Sequence, residues 1–277
     1  FEFCTNSAED IFGNDAINTV FIATRHDTHA DYVKQALQAG KNTFVEKPLC
    51  LNFEELEEIK DLYETLSREL TVHAPILMVG YNRRFSPLIA EVKKIFRTGP
   101  LASIYRVNCG MIPPDSWFQD VEVGGGRIIG EVCHFIDTLT YITGSQPISI
   151  YASAMKDPNH FNDTVNISLT HRDGSISTIS YFANGEKSLP KEKLEIYGHG
   201  CVAILDDFKK LTIHAQGKKK VKKLASQDKG QKEEITQFID SIVKGKGEVI
   251  PFNELFNTSL VTFKIIESIQ TGQSILL

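Results

Sequence analysis

The sequence predicts an α/β domain followed by an α+β domain: part of a doubly wound, Rossmann-like parallel sheet, then a mainly antiparallel open sheet. Two patterns carry this. Over roughly the first eighty residues, short β-branched apolar runs alternate with amphipathic helical patterns through short links, as parallel βαβ units do. Beyond about residue 100, alternating runs separated by hairpin-turn signals dominate, as in antiparallel sheets. The change falls near Asn82 and divides the chain into residues 1–82 and 83–277.

Taken in order, Asn18–Ala23 is short, apolar and β-branched, as a buried parallel strand requires. Thr28-His29-Ala30-Asp31 has the Ser/Thr-x-x-Asp/Glu form of a helix start. Ala30, Val33, Ala36 and Leu37 form its stripe, and Gly40 stands at its C-terminal cap. A second strand, Asn42–Glu46, runs into Lys47-Pro48. Asn52 caps the next helix, with Phe53, Leu56, Ile59, Leu62 and Leu66 as its buried stripe. Ile76–Val79 is the third strand. No G-x-G-x-x-G precedes a helix anywhere, and in this fold class the phosphate loop follows the first strand. The expected order therefore puts about two βα units, at ~30 residues each, ahead of residue 1.

In the second part, a helix is predicted over Pro87–Phe96, ending near Gly99-Pro100, and a strand over Ile104–Asn108. A helix over Arg127–Thr143 follows Gly124-Gly125-Gly126. Strands are predicted at Ile148–Ala154, Thr164–Thr170, Ser175–Phe182, Lys193–Gly198, Val202–Leu205 and Leu211–His214. Arg172-Asp173-Gly174-Ser175 and Gly198-His199-Gly200 supply turn signals. Helices near Lys232–Val243 and Asn253–Thr271 are expected to pack back between the two domains. The basic run Lys218–Lys223 has two readings, a solvated turn or an anion or membrane patch.

Composition excludes several function classes. The 277 residues suit two domains at ~100–200 residues each. A formal charge of −5 argues against nucleic acid, because a duplex partner requires a basic face to displace counterions. The five cysteines are scattered without a CxxC pair or metal-like spacing, which suits reduced thiols in the cytoplasm and no metal. No apolar run approaches the ~20 residues of a membrane span, and no signal peptide opens the chain.

Four segments, in order, resemble the glucose-fructose oxidoreductase/inositol dehydrogenase (Gfo/Idh/MocA) family. Ile22-Ala23-Thr24 with His29 is similar to the family's strand-end turn beside the nicotinamide ribose. Glu46-Lys47-Pro48 is similar to its EKP motif, and Gly80-Tyr81-Asn82-Arg83-Arg84-Phe85 to its crossover into the second domain. Gly124-Gly125-Gly126 followed by His134-Phe135-Ile136-Asp137 resembles its Gly-rich turn and substrate-site helix. Each match is weak alone; the four in register span the chain. The resemblance implies an NAD(P)-dependent dehydrogenase acting on a hydroxyl carbon of a sugar, cyclitol or sugar nucleotide. It implies NAD or NADP as cofactor, along Ala23, Thr24, His29 and Glu46, with Arg83 at the crossover. It also implies a cis peptide before Pro48 and a homodimer or homotetramer built through the open sheet. A glycosidase using bound NAD stays open on the same fold, as does a non-catalytic NAD- or sugar-sensing or protein-binding module.

The chemistry singles out particular residues. Oxidising a secondary alcohol requires a base within hydrogen-bond reach of the hydroxyl. Lysine suits that role when partly desolvated, and Lys47 stands at the carboxyl end of a parallel strand, where ligands of open α/β sheets bind. The competing reading is a solvated loop lysine. On the predicted helix, Arg127, Glu131, His134 and Thr138 share one face, fit either for a polyhydroxylated substrate or for solvent. The family relates this histidine to substrate hydroxyls and proton transfer, with an aspartate one turn earlier. Here that position is Gly130, and Glu131 is the candidate displaced carboxylate. Trp117 is either a wall of the sugar site or a loop anchor, and Asp137 either a substrate ligand or a helix-surface hydrogen bonder. His26, His73, His160, His171, His199 and His214 show no ligand spacing and receive no role.

Overall fold

The computed structural model describes residues 3–69, 74–97, 99–157 and 161–277; His73 and His160 lie outside them. After a short helix α1 (Glu9–Phe12), strands β1 (Thr19–Ile22), β2 (Asn42–Val45) and β3 (Leu77–Val79) form a parallel sheet in the order β1-β2-β3. They are joined by α2 (His29–Gln38) and α3 (Phe53–Glu69). Central β2 buries Thr43, Phe44 and Val45. β1 lies at the sheet edge, so Phe21 is half exposed, against Phe44 and Phe238.

Two helix signals resolve differently. Asn52 caps α3 as predicted: its Oδ1 accepts the Glu55 N–H at 2.9 Å, and the Glu55 carboxylate accepts the Leu51 N–H at 2.8 Å. Phe53 is exposed rather than buried, and Tyr63 takes a core place, stacked on Phe252 at 4.3 Å. Thr28 does not cap α2. A 3₁₀ turn (His26–Thr28) leads into that helix, so Thr28 already has near-helical backbone (φ −99°, ψ −8°), and its hydroxyl donates to the Arg25 carbonyl instead.

The larger sheet has nine strands. They are β4 (Ala102–Asn108), β5 (Pro147–Ala154), β6 (Val165–His171), β7 (Ile176–Phe182), β8 (Glu192–Gly198), β9 (Cys201–Asp206), β10 (Lys210–Ala215), β11 (Lys218–Lys223) and β12 (Ile275–Leu276). The order is β11-β10-β9-β8-β4-β7-β6-β5-β12, antiparallel except between β4 and β7. The basic run is therefore a strand, β11, and not a turn. Its six residues are all exposed at the sheet edge, where lysines hinder pairing with a further strand.

One face of this sheet is covered by α4 (Pro87–Ile95), α5 (Cys133–Thr143) and α7 (Phe252–Thr271), around a core that includes Val92, Tyr105, Phe135, Leu139, Ile179 and Val261. The other face is open and carries exposed Ile104, Tyr151, Ile176 and Tyr197. α6 (Gln231–Lys244) and α7 contribute Phe238 and Leu255 to the core of the parallel sheet, while α7 also packs on β5 and α5. No described helix is long and apolar enough to cross a membrane.

Candidate active site

The carboxyl ends of β1, β2 and β3 form a ledge. The Glu46 N–H donates to the Ile22 carbonyl and the Gly80 N–H to the Val45 carbonyl, both at 2.8 Å, so the chain stays in register one residue past each strand. Ala23, Thr24 and Glu46 are exposed on this ledge. A Cβ at Gly80 would stand 2.9 Å from Glu46 Oε2, so the glycine leaves room for that carboxylate as it is now placed. His29, expected to touch the cofactor, is instead fully buried. Its Nδ1 lies 2.7 Å from the Pro48 carbonyl and its Nε2 3.2 Å from the Thr24 carbonyl, so it braces the two turns against each other.

Lys47 precedes Pro48 through a cis peptide bond. Its Nζ donates to the Gly130 carbonyl at 2.7 Å and lies 5.5 Å from the centre of the Phe118 ring. Gly130 belongs to a π-helical turn (Ile128–Val132) that precedes α5, where one continuous helix was predicted. A Cβ at Gly130 would stand 2.7 Å from Phe118 Cζ and 3.2 Å from His26 Cε1. Phe118 and His26 thus fill the space into which an acidic side chain would project. Gly130→Asp is therefore expected to destabilise the protein by about 1–3 kcal/mol through overpacking, and adding Phe118→Ala to relieve part of that cost. Denaturant melts of the single and double variants check this; purely additive effects would refute it.

His134 is buried, with no partner for Nδ1. Burial, then the positive charges of Arg83, Lys47, Lys191 and Lys229, hold its pKa well below the ordinary histidine value, so the ring is neutral. α5 is not amphipathic with a wet face: its polar residues His134, Asp137, Thr138 and Thr140 are buried together with its apolar ones.

Glu131 lies in the π turn, and its carboxylate, expected as a displaced catalytic acid beside His134, is engaged by other side chains. The Glu131 oxygens are taken by Lys191, by the Tyr181 hydroxyl and by Arg127, the last at 3.4 Å. Burial alone would raise this carboxyl, but Lys191, Tyr181 and Arg127 outweigh it and hold the pKa at about 2. Glu192 sits at about 2 for the same reason, burial being outweighed by Arg83 and Lys229. Both folded values lie below the ordinary 4.5, so this stabilisation is complete above pH ~4.5 and is lost as pH falls towards 2. Denaturant unfolding at stepped pH should show the loss, on the order of a few kcal/mol, with a shallower slope in Glu131→Gln. An unchanged slope would count against the network.

Arg83 and Asp137 also differ from expectation. Arg83 is buried and donates from Nε and Nη2 to Glu192 at 2.8 and 2.9 Å, so its guanidinium is spent on a structural pair rather than free for cofactor. Asp137 is fully buried, with both oxygens 3.0 Å from Arg84 Nε, and cannot reach a substrate.

Trp117 is partly exposed on the loop before the glycines, its ring 5.0 Å from that of His26 and near Arg25. His26, given no role by spacing, is central: it contacts the Phe118 ring at 5.2 Å and places Nδ1 2.7 Å from the Gly124 carbonyl. Burial, opposed by that carbonyl and aided by Lys47, pushes its pKa down to about 4. Its place two residues after Thr24, at the end of β1, is the sequence signal that could have found it. Glu234, likewise missed, is a buried carboxyl of α6 beside this site.

Residues 1–74 match the model of an oxidoreductase family with an NAD-binding Rossmann fold, the Gfo/Idh/MocA family. Residues 89–202 match the same family's C-terminal domain. The chain belongs to the Gfo/Idh/MocA family. It is 26% identical over 221 residues to the uncharacterized oxidoreductase YrbE of Bacillus subtilis, a match taking in 76% of this chain and 62% of the relative. Inositol 2-dehydrogenase of Rhizobium meliloti is 31% identical over 140 residues, 50% of this chain and 40% of the enzyme. The chain thus covers less than two thirds of these relatives. The crystal structure of aldose-aldose oxidoreductase from Caulobacter crescentus superposes with a TM-score of 0.80 at 18% identity, over 97% of this chain and 82% of that one, a likeness of fold.

The family model that residues 1–74 match is that of an NAD-binding Rossmann fold, so NAD or NADP is the cofactor the family implies. The residues present fit the nicotinamide end of that group. Three parallel strand ends form an open ledge, Gly80 keeps one side free of a side chain, and His134 Nδ1 is an unsatisfied polar atom beside it.

Proposed function

We propose that this protein is an NAD(P)-dependent dehydrogenase that oxidises or forms a secondary alcohol on a sugar, cyclitol or sugar nucleotide. The observation that carries this is Lys47, held at the carboxyl end of β2 by the Gly130 carbonyl, with neutral His134 on the facing helix. Bound at the ledge, the nicotinamide supplies the hydride acceptor or donor. Lys47 Nζ is the group that exchanges a proton with the reacting hydroxyl and with solvent, to which the half-buried side chain has access. His134 orients that hydroxyl through a hydrogen bond. Trp117, Phe118 and His26 form an aromatic wall that limits water at Lys47 and gives a sugar ring a face to pack on. A relative named for inositol supports a polyol as substrate.

The test is NADH or NADPH formation by the intact protein across a panel of sugars and cyclitols. Release of free sugar from a glycoside without net NADH would favour the glycosidase instead. Dinucleotide binding without turnover on any member would favour a sensor. The open face carrying Ile104, Tyr151, Ile176 and Tyr197 supports a homodimer or homotetramer, which light scattering of the purified protein tests.

A further inference from the structure

Phe118, whose ring lies beside Lys47 Nζ, comes from the second domain, whereas Lys47 stands at the end of β2 in the first. The loop that carries Phe118, residues 117–124, is largely closed on itself. The Gly124 and Gly125 N–H groups both donate to the Asp120 carbonyl, at 2.8 and 2.9 Å, and the Asp120 carboxylate accepts the Glu122 N–H at 2.9 Å. These bonds shape the loop but do not fix it against Lys47.

Two further hydrogen bonds do, and both come from the turn after β1. His26 Nδ1 lies 2.7 Å from the Gly124 carbonyl; a carbonyl only accepts, so this nitrogen carries the hydrogen and donates. The Asp27 N–H donates to the Val123 carbonyl at 3.1 Å. The His26 ring is buried and meets Trp117 and Phe118 edge-on, at 5.0 and 5.2 Å. Its grip on Gly124 passes straight to Phe118. A Cβ at Gly124 would stand 2.5 Å from the Trp117 carbonyl oxygen and 2.6 Å from Phe118 Cα, so the gripped backbone lies directly against that of Phe118. No flexible side chain stands between them to absorb a shift.

We propose that His26 is a positioning residue for Lys47: its Nδ1–H latches the loop of the second domain to the end of β1 and so holds the Phe118 ring beside the amine. This rests on the dehydrogenase reading and adds to it the group that sets the loop in place. Without the latch, the buried Gly124 carbonyl loses its donor and the loop moves off the ledge. Lys47 Nζ then keeps the Gly130 carbonyl but not the ring, and water reaches it.

The test compares three variants of the intact protein. His26→Asn places an amide N–H where Nδ1 stood, His26→Phe keeps a ring without a donor, and His26→Ala keeps neither. Trp117 is the only tryptophan, so acrylamide quenching of its fluorescence reads the loop without any turnover. Quenching should rise in His26→Phe, although a ring still fills the site, and rise further in His26→Ala. The kcat for NADH or NADPH formation should fall about 10- to 100-fold in both and stay within about threefold of wild type in His26→Asn. Phe118→Ala should lower kcat by a similar factor. The pair His26→Phe with Phe118→Ala should be no slower than Phe118→Ala alone, because the histidine acts through that ring. Should the phenylalanine variant not fold, His26→Ala against His26→Asn gives the same contrast in kcat. Unchanged quenching in His26→Phe, an asparagine variant as slow as the alanine one, or losses that multiply in the pair overturn the proposal. Failure of the dehydrogenase reading would appear differently, as wild type that forms no reduced cofactor on any substrate while the quenching contrast persists.

Discussion

Lys47→Met is expected to lower turnover by about 10²–10⁴-fold, the usual contribution of a positioned general acid or base. Methionine keeps the length and apolar volume of the side chain while removing the amine. The fold should survive, because Lys47 is only half buried and its one hydrogen bond goes to a backbone carbonyl. The melting temperature should therefore fall by no more than about 2–12 °C, as losing one such bond is worth about 1–3 kcal/mol at ~2–4 °C per kcal/mol. The check is kcat with NAD or NADP on whichever polyol proves to be a substrate, alongside a thermal melt. A well-folded variant with wild-type kcat would remove Lys47 from the chemistry. A defect confined to KM would make it a substrate-binding residue.

The second large effect concerns stability. Arg84 is buried between Asp137 and Glu254: its Nε lies 3.0 Å from both Asp137 oxygens, and its Nη1 lies 2.8 Å from Glu254. Arg84→Met would leave Asp137 with no exposure and no cation. Breaking a buried pair from one side costs about 3–5 kcal/mol, a large fraction of the ~5–15 kcal/mol that holds a typical domain together. At ~2–4 °C per kcal/mol, the melting temperature should fall by roughly 10 °C. Arg84→Met combined with Asp137→Leu should recover most of the loss, since the only carboxylate then left without its cation, Glu254, is partly exposed to water. If the single variant melts within a degree or two of wild type, the pair does not organise the junction of α5, α7 and the turn after β3.

Both predictions rest on residues within the crossover, EKP and Gly-rich motifs, which shows what local sequence can carry. Lys47 and His134 stand out as candidates in the sequence because each stands at a fixed offset from a strand end or a glycine-rich turn. His26 and Glu234 do not. His26 acquires its place only when the loop carrying Trp117 and Phe118 folds over it, nearly a hundred residues later in the chain. Glu234 shares the buried face of α6 with Phe238 and Ser241 at spacings of four and three, but a glutamate beside a second, exposed glutamate at the start of a helix reads as a solvated residue.

By itself, the sequence determined the order and type of most elements, the two sheet classes and the family, since these depend on periodicity, turn residues and motif spacing within short windows. Tertiary structure decided which polar groups are spent and which are free. The helix from Arg127 to Thr143 shows why. Its spacing placed Glu131 and His134 on one face, but in the folded chain Glu131 lies in a π turn and is taken by Lys191 and Tyr181. In the same way Arg83 and Asp137, plausible ligands in sequence, are consumed by Glu192 and Arg84. A charge removed from water must find an opposite charge, and the strand or helix that brings that partner is invisible from within a motif.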